Sequence, residues 1–408
     1  MMAGLMEITY EYLESLKHVR EVKRDFKLRE YEDIFALIGP RRVGKTFTLL
    51  KKARELLDSG EQVIYVSLDE PFLRGMNVRG FAELVRKEYP DGIVYLFLDE
   101  IQEWRNWDFN LRWLHDVKDF RIYVSGSSST LMASEIPTRL RGRYISKNLY
   151  PLSFKEIVDF EIKTFRERGR VQRLLEDYLK WGGFPEVWLT KSREKIMSLL
   201  ETIFYRDIVE RFRIEDVELF KQVFYFTLSN YSNLLSYRSI NRMLKTININ
   251  IDVKTLIKYV NYMKQAFLLF TIDIYTYSQR VKTVNPKKIY VIDTSILNLF
   301  PQKMDIGRKM ENLVFIELLR RKTPTTSISY YKLKTNREID FIISEINKIK
   351  QLIEVTYNLE KIHVEKTLKA MEKLKLKKAT IITWNEEKTI KNGNKTIKAT
   401  PLWKWLTK

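Results

Sequence analysis

Ile34-Phe35-Ala36-Leu37-Ile38-Gly39-Pro40-Arg41-Arg42-Val43-Gly44-Lys45-Thr46 is the stretch on which the reading of this chain turns. Five apolar residues in a row indicate a strand buried on both faces. The eight residues that follow match G-x-x-x-x-G-K-[ST] completely. Gly39 and Gly44 let the backbone bend until successive N–H groups point at one anion. The helix that opens at Lys45 directs its positive end at the same point. Residues Lys45–Leu57 carry Phe47, Leu50, Ala53, Leu56 and Leu57 on one stripe, and Ser59-Gly60 ends them. Gly39, Pro40, Arg41, Arg42, Val43, Gly44, Lys45 and Thr46 are therefore candidate phosphate ligands. Lys45 is expected at the β- and γ-phosphates and Thr46 on Mg²⁺.

Working outward, Val63–Leu68, Ile93–Leu98 and Arg121–Ser125 are further apolar runs with helical stretches between them, which predicts a parallel α/β sheet. The run at 93–98 ends in Asp99-Glu100. Carboxylates at the C-terminal end of a buried parallel strand stand at the ligand edge of the sheet. Asp99 is expected in the magnesium shell and Glu100 beside the attacking water. The run at 121–125 leads into Gly126-Ser127-Ser128-Ser129. A hydroxyl there can contact the γ-phosphate or the water, and the sequence does not separate Ser127 from Ser128; a plain Ser-rich turn has the same composition. Arg139, Arg141 and Arg143 follow as candidates to stabilise transferring phosphate, against a simple structural pairing role.

The chain has 408 residues, room for two to four domains. With 72 Lys and Arg against 52 Asp and Glu it carries a net charge of +20. That excess favours an anionic partner, nucleic acid first and anionic membrane second; a Lys-rich, thermophile-like surface is the plain alternative. Absence of cysteine excludes disulfides, thiol catalysis and Cys-ligated zinc. His18, His115 and His363 are too scattered in sequence to point to a histidine metal site. No apolar run approaches a membrane span, and Met1–Tyr10 lacks a signal-peptide plan, so a cytoplasmic, soluble protein is expected.

Beyond Pro151 the pattern is helical to about Arg213, broken at Gly182-Gly183-Phe184-Pro185. Residues 231–278 read as a helix-turn-helix with a wing. Asp252 is a candidate N-cap. Behind it Val253, Leu256, Ile257, Val260 and Met263 form one face. Lys254, Thr255, Lys258 and Asn261 point the other way and suit phosphates and base edges, although such modules also bridge domains or bind protein. The final stretch, residues 361–408, holds 13 lysines against 4 glutamates.

Taken together, GPRRVGKT (39–46), LFLDEIQEWRNW (96–107), VSGSSS (124–129), LRGRYISKNLYPLSFKEI (140–157), WGGFPEVWL (181–189), YRDIVERF (205–212), NPKKIYVIDTSI (285–296), GRKMENLVFIELLRR (307–321), REIDFII (337–343), QLIEVTY (351–357) and TPLWKWL (400–406) resemble the prokaryotic AAA+-type ATPases, abundant in archaea, that carry a C-terminal nuclease-like domain of uncharacterised function. The resemblance implies ATP binding, a helical lid, a winged helix and a terminal restriction-endonuclease-like fold. It implies that Ser127 or Ser128 is sensor-like and that Arg141 or Arg143 acts across a subunit interface, hence a homo-oligomer. In the nuclease-like part it matches Glu311, Asp340 and Glu354 to a Glu–Asp–Glu–Lys cluster around Mg²⁺. The lysine is missing, because Glu354-Val355-Thr356 ends in a neutral hydroxyl. Little or no cleavage is expected. Three converging carboxylates repel, so one is expected to pair with a cation or take up a proton, with Arg308, Lys332 and Arg337 nearby.

The expected architecture is α/β: a parallel-sheet P-loop (AAA+-like) domain over 1–155, a helical lid over 156–215, a winged helix over 216–282 and an α/β restriction-endonuclease-like domain over 283–408. The expected function is Mg²⁺-dependent hydrolysis of ATP coupled to nucleic acid, DNA favoured. The alternative is a slow nucleotide-gated switch that recruits a protein.

Overall fold

The computed structural model describes residues 4–127, 140, 142–162, 169–300, 305–334, 337–346 and 348–408. The chain divides into two compact units. One runs up to Tyr150 and includes Gln265–Phe267; the other comprises Pro151–Lys264 and Leu268–Lys408.

The first unit is built on five parallel strands: β1 (Ile34–Ile38), β2 (Gln62–Ser67), β3 (Val94–Asp99), β4 (Phe120–Gly126) and β5 (Tyr144–Asn148). Their order is β2-β3-β4-β1-β5. The first four fall within one residue of the expected runs. β5 carries the weak pattern Tyr-Ile-Ser-Lys-Asn, because it is an edge strand with no fully buried residue. β1 is buried throughout, as a central strand covered on both faces must be. The register sets Ile38 beside Gly126 and Leu98 beside Val124, so the C-terminal ends of β1, β3 and β4 meet at one edge. The helix Lys45–Asp58 starts there, after Gly44 at φ +93°. A side chain at Gly39 would put its Cβ 2.1 Å from the Leu149 carbonyl, so the loop can pass β5 only as glycine. The other edge strand, β2, is covered by the helix Leu5–Ser15. Thr9 accepts from Tyr65 N–H at 3.1 Å and donates to Tyr65 O at 3.2 Å, satisfying groups the ladder leaves open.

The second unit begins with helices Phe154–Glu161, Val171–Trp181, Pro185–Thr190 and Arg193–Thr202. The helical segment Ile203–Glu210 continues the last of these; Val217–Ser229, Tyr237–Thr246 and Val253–Gln265 follow, interleaved with β6 (Leu234–Leu235) and succeeded by β7 (Leu269–Ile274), the short helix Gln279–Val284 and β8 (Lys287–Val291). β8 pairs antiparallel with both β6 and β7. After the helix Ile306–Arg321 comes an antiparallel meander of β9 (Thr326–Lys332), β10 (Glu338–Glu345) and β11 (Lys348–Val355). The helix Lys361–Lys373 then leads to β12 (Lys378–Thr383), parallel to β11, and to the hairpin β13 (Lys388–Asn392) and β14 (Lys395–Pro401). β7 pairs parallel with β9, which merges everything into one nine-stranded sheet. The strands on either side of residue 282 thus share one ladder.

Two of the quoted motifs are architectural. Gly182 has φ +68°, and a Cβ there would lie 1.7 Å from Asp293 Oδ1. Gly183 N–H donates to Asp293 Oδ2 at 2.8 Å, while Ser295 donates to Oδ1 through N at 2.9 Å and Oγ at 2.6 Å. The Gly-Gly turn and the Asp-Thr-Ser stretch are halves of one buried clamp. Burial raises the Asp293 pKa, and these donors oppose the rise.

Candidate functional site

At the loop edge, Lys45 is 5% exposed and folds back over its own loop, with Nζ 3.0 Å from Gly39 O and 2.9 Å from Pro40 O. Its ammonium is held where converging N–H groups favour an anion. Arg24 braces the loop from outside, donating to Val43 O and, at 3.0 Å, to Tyr150 O. Arg24 was not legible as a site residue; nothing in its own stretch marks it.

Asp99, at the end of β3, is buried among three hydroxyl donors. Thr46 Oγ1 lies 2.6 Å and Tyr65 OH 2.8 Å from Oδ2, and Ser125 Oγ donates to Oδ1. Burial, with Asp99 next, holds the Tyr65 pKa well above its ordinary value, so Tyr65 remains a donor. Sequence reasoning missed Tyr65 and Ser125. The one signal was a polar tip inside otherwise apolar β2 and β4. Thr46 and Asp99 supply a hydroxyl and a carboxylate oxygen at one point, a donor set that fits a hard divalent cation.

Glu100 adopts the left-handed conformation, φ +52°. For a non-glycine residue this costs about 1–2 kcal/mol. Its N–H is anchored to Ser125 Oγ at 3.1 Å and Asp99 Oδ1 at 3.2 Å, which holds the turn. The carboxylate accepts from Gln102 Nε2, and the same amide lies 3.5 Å from Ser127 Oγ. Glu100 and Ser127, both sequence candidates, are thus joined through Gln102, which was not foreseen. Ser128, Arg139 and Arg141 lie outside the described residues. Arg143 pairs with Asp116 at 2.9 Å. It precedes β5, whose first residue sits beside Ile34 at the start of β1. Arg143 is therefore at the sheet edge opposite the loop, roughly 13 Å away at about 3.3 Å per residue.

On the helix Val253–Gln265, Leu256, Tyr259, Val260 and Met263 face inward, and Asp252 Oδ2 accepts Lys254 N–H at 2.9 Å. Lys254 and Lys258 are exposed, while Thr255 and Asn261 are half-buried at the rim.

Two of the three carboxylates matched to a nuclease cluster, Glu311 and Asp340, meet at a lysine together with Glu338, while Glu354 has cations of its own. Lys288 on β8 is 1% exposed, and its Nζ is 2.8 Å from each of Glu311 Oε1, Glu338 Oε1 and Asp340 Oδ1. Tyr290 OH donates to Glu311 at 2.7 Å, and Val355 N–H to Asp340 Oδ2 at 2.8 Å. Burial lowers the Lys288 pKa, but Asp340 and Glu311 more than reverse this and it ends well above the ordinary value. Burial pushes Glu311 up to about 8 and Glu354 up to about 7. Glu354 accepts from Lys366 and lies 3.5 Å from His363 Nδ1. The neutralising cation is thus neither Arg308, Lys332 nor Arg337; Arg308 instead holds Tyr231 O. A strand distant in sequence delivers Lys288, and a helix delivers Lys366 to Glu354, whose own Glu-x-Lys position holds Thr356. Among the described residues, no group of three or more Asp, Glu, His or Cys is arranged to hold a metal ion.

The parallel sheet, the loop and the Asp-Glu strand define an AAA-type ATPase domain, and residues 31–158 match the AAA domain family. Residues 172–305 and 306–405 match two domains of unknown function, DUF8612 and DUF4143. The chain belongs to the same family as the uncharacterized protein MJ1544 of Methanocaldococcus jannaschii, to which it is 32% identical over 98% of its own length and 94% of that protein. An uncharacterized protein of Haemophilus influenzae is 28% identical over 79% of this chain and 82% of its own. AMPPCP-bound DnaA from Aquifex aeolicus aligns over 63% of this chain and 86% of its own, with 16% identity and a TM-score of 0.23. No helix among the described residues is long and apolar enough to cross a membrane.

Proposed function

We propose that the protein is a Mg²⁺-dependent ATPase, releasing ADP and phosphate, whose turnover is coupled to nucleic acid, DNA above RNA. The observation that carries the hydrolytic reading is the meeting of Lys45, Thr46, Asp99 and Glu100 at one sheet edge. Lys45 exchanges its two loop carbonyls for phosphate oxygens. Thr46 and Asp99 hold Mg²⁺, which offsets charge on the phosphates. Glu100 accepts the proton of the attacking water, and Ser127 senses the γ-phosphate through Gln102. Arg141 or Arg143 completes the site of a neighbouring copy in a homo-oligomer; the placement of Arg143 at the opposite end of β1 supports a role in trans for it.

The nucleic-acid part rests on the net charge and on Lys254, Thr255, Lys258 and Asn261, which the winged-helix reading of residues 216–282 would aim at DNA. Helical-lid and restriction-endonuclease-like readings of 156–215 and 283–408 belong to the same proposal. In the latter, Lys288 stands among the carboxylates where a metal would be needed, so no cleavage is expected. The test is ATPase rate with and without single-stranded, duplex and branched DNA. Stimulation by one of them supports coupling; an unchanged rate with all three removes it.

The Gln102 contact favours a second reading, a slow nucleotide-gated switch that recruits a protein. A base hydrogen-bonded by an amide is less available to water. Gln102→Ala should then raise basal turnover severalfold. A fall would leave the contact as positioning for catalysis.

A further inference from the structure

One face of the C-terminal sheet is covered by helix only in part: Phe315 of the helix Ile306–Arg321 stacks on Phe341, and the rows beyond it on β12, β14 and β13 lie open. Residues paired across a ladder share a face. Lys378 pairs with Thr396, and Thr396 with Lys391; Thr380 pairs with Lys398, and Lys398 with Thr389. These six form two rows on one side of β12, β14 and β13. On the other side, Ala379, Ile381 and Ile397 pack in a core with Ala370 and Met371 of the helix Lys361–Lys373. The open side forms a groove of about 700 Å³, bounded by the end of the helix Ile306–Arg321 and by Trp405 and Lys408. Arg321, Lys350, Lys378, Lys398 and Lys408 line it together with four threonines, and no Asp or Glu does. The lysines are all exposed. Glu345 pairs with Lys350 at 3.4 Å, but both are substantially exposed and such a pair contributes little. Arg321 is held by Glu317 at 2.7 Å, which fixes its guanidinium at the rim.

We propose that this groove is a phosphate-backbone contact surface for nucleic acid, separate from the helix Val253–Gln265 and from the carboxylate cluster. The proposal rests on the nucleic-acid reading above and assigns it a second surface. Facing and diagonal positions on neighbouring strands have their Cβ atoms roughly 5–8 Å apart, a spacing from which lysine side chains can reach successive phosphates. Hydroxyls of Thr326, Thr380 and Thr396 and the Gln351 amide add neutral donors of the kind that position a backbone. A protein interface would need exposed aromatic or aliphatic anchors and a membrane surface would need apolar wedges. The large apolar side chains of the groove, Leu318, Ile328, Ile343, Leu352 and Trp405, are buried or half-buried in its floor and wall, and none of the large exposed hydrophobic side chains among the described residues lines it. Nor is it the cluster's cleft. Asp340 and Glu354 adjoin Phe341 and Ile353, which pair with each other, and Ile353 pairs with Thr380 on the groove side. Strand alternation turns Asp340 and Glu354 to the opposite face.

The experiment is fluorescence anisotropy of the full chain with labelled duplex and single-stranded DNA of arbitrary sequence, over a series of salt concentrations. It compares wild type, Lys350→Ala/Lys378→Ala/Lys398→Ala, and Lys254→Ala/Lys258→Ala. Basal ATPase rate and circular dichroism confirm that the groove variant is folded. Expected is weaker binding by the groove variant, with a log–log salt slope shallower by about 2–3 units, near 0.9 for each phosphate that is no longer neutralised. If wild type binds and the groove variant matches its affinity and slope, the groove assignment is overturned while the nucleic-acid reading stands. No binding by wild type at low salt overturns both. Loss of binding to phosphatidylserine vesicles, with DNA binding unchanged, would reassign the groove to a membrane and also overturn it.

Discussion

Replacing Lys288 by Met tests whether the carboxylate cluster is neutralised from within. The Nζ touches three carboxylate oxygens at 2.8 Å and is 1% exposed, so its loss leaves buried negative charge with no water to replace it. Removing one partner of a buried ionic group costs about 3–5 kcal/mol. Protonation relieves part of this. Glu311 already stands at about 8, chiefly through burial, and Lys288 is the main influence lowering it, so in the variant it rises further. A carboxyl raised in the folded state adds stability that is fully present below its unfolded pKa and lost as pH rises through the folded one. The defect should therefore be small at about pH 6 and large at about pH 9, the opposite of ordinary acid sensitivity. Hydrogen exchange of β10 and β11 across that range reads the effect where it arises and does not require the whole chain to unfold as one. Three uncompensated carboxylates also present hard oxygens, so millimolar Mn²⁺ should restore protection to the variant and leave wild type unchanged. Protection equal to wild type at every pH would refute the internal-cation argument. Mn²⁺ protection of wild type that Asp340→Asn abolishes would show that the metal displaces the lysine.

Other outcomes follow from the first unit and from the clamp. Glu100→Gln should bind ATP and hydrolyse it at least about 100-fold more slowly, the scale of general-base catalysis, while Lys45→Ala should weaken binding itself; isothermal titration and single-turnover hydrolysis separate the two. An inactive Arg141→Ala/Arg143→Ala variant mixed with Lys45→Ala should regain activity, because each defect falls on a different side of a shared site, and failure in a demonstrated oligomer counts against action in trans. Tyr65→Phe removes one of the three hydroxyl donors from Asp99 and should lower stability by roughly 1–2 kcal/mol, with an altered dependence of turnover on Mg²⁺ concentration. Gly182→Ala forces a Cβ onto Asp293 and should destabilise the second unit by more than about 3 kcal/mol, read as a fall in Tm; a neutral result would mean the clamp is not tight.

What the sequence determined by itself was local. Residues 34–46 announce a buried strand, a glycine loop and a helix because each feature is encoded within a few residues of itself, and Asp99-Glu100 announces a ligand edge for the same reason. On Val253–Gln265 the helical period gave Leu256, Val260 and Met263 of the inward face, but Tyr259 takes the place there expected of Val253 and Ile257, which are only half-buried. Only the tertiary structure decided which groups meet across strands. Ser125 and Tyr65 reach Asp99 because β4 and β2 flank β3, an order that periodicity does not encode. Arg24 braces the loop although 19 residues separate it from Val43. Lys288 enters the carboxylate cluster because β7 joins the ladder of β9 and carries β8 beside it. One lysine among many has no mark in the sequence; long-range strand pairing alone distinguished it from the solvated lysines of the same charge, by placing its ammonium within reach of three carboxylates and out of reach of water.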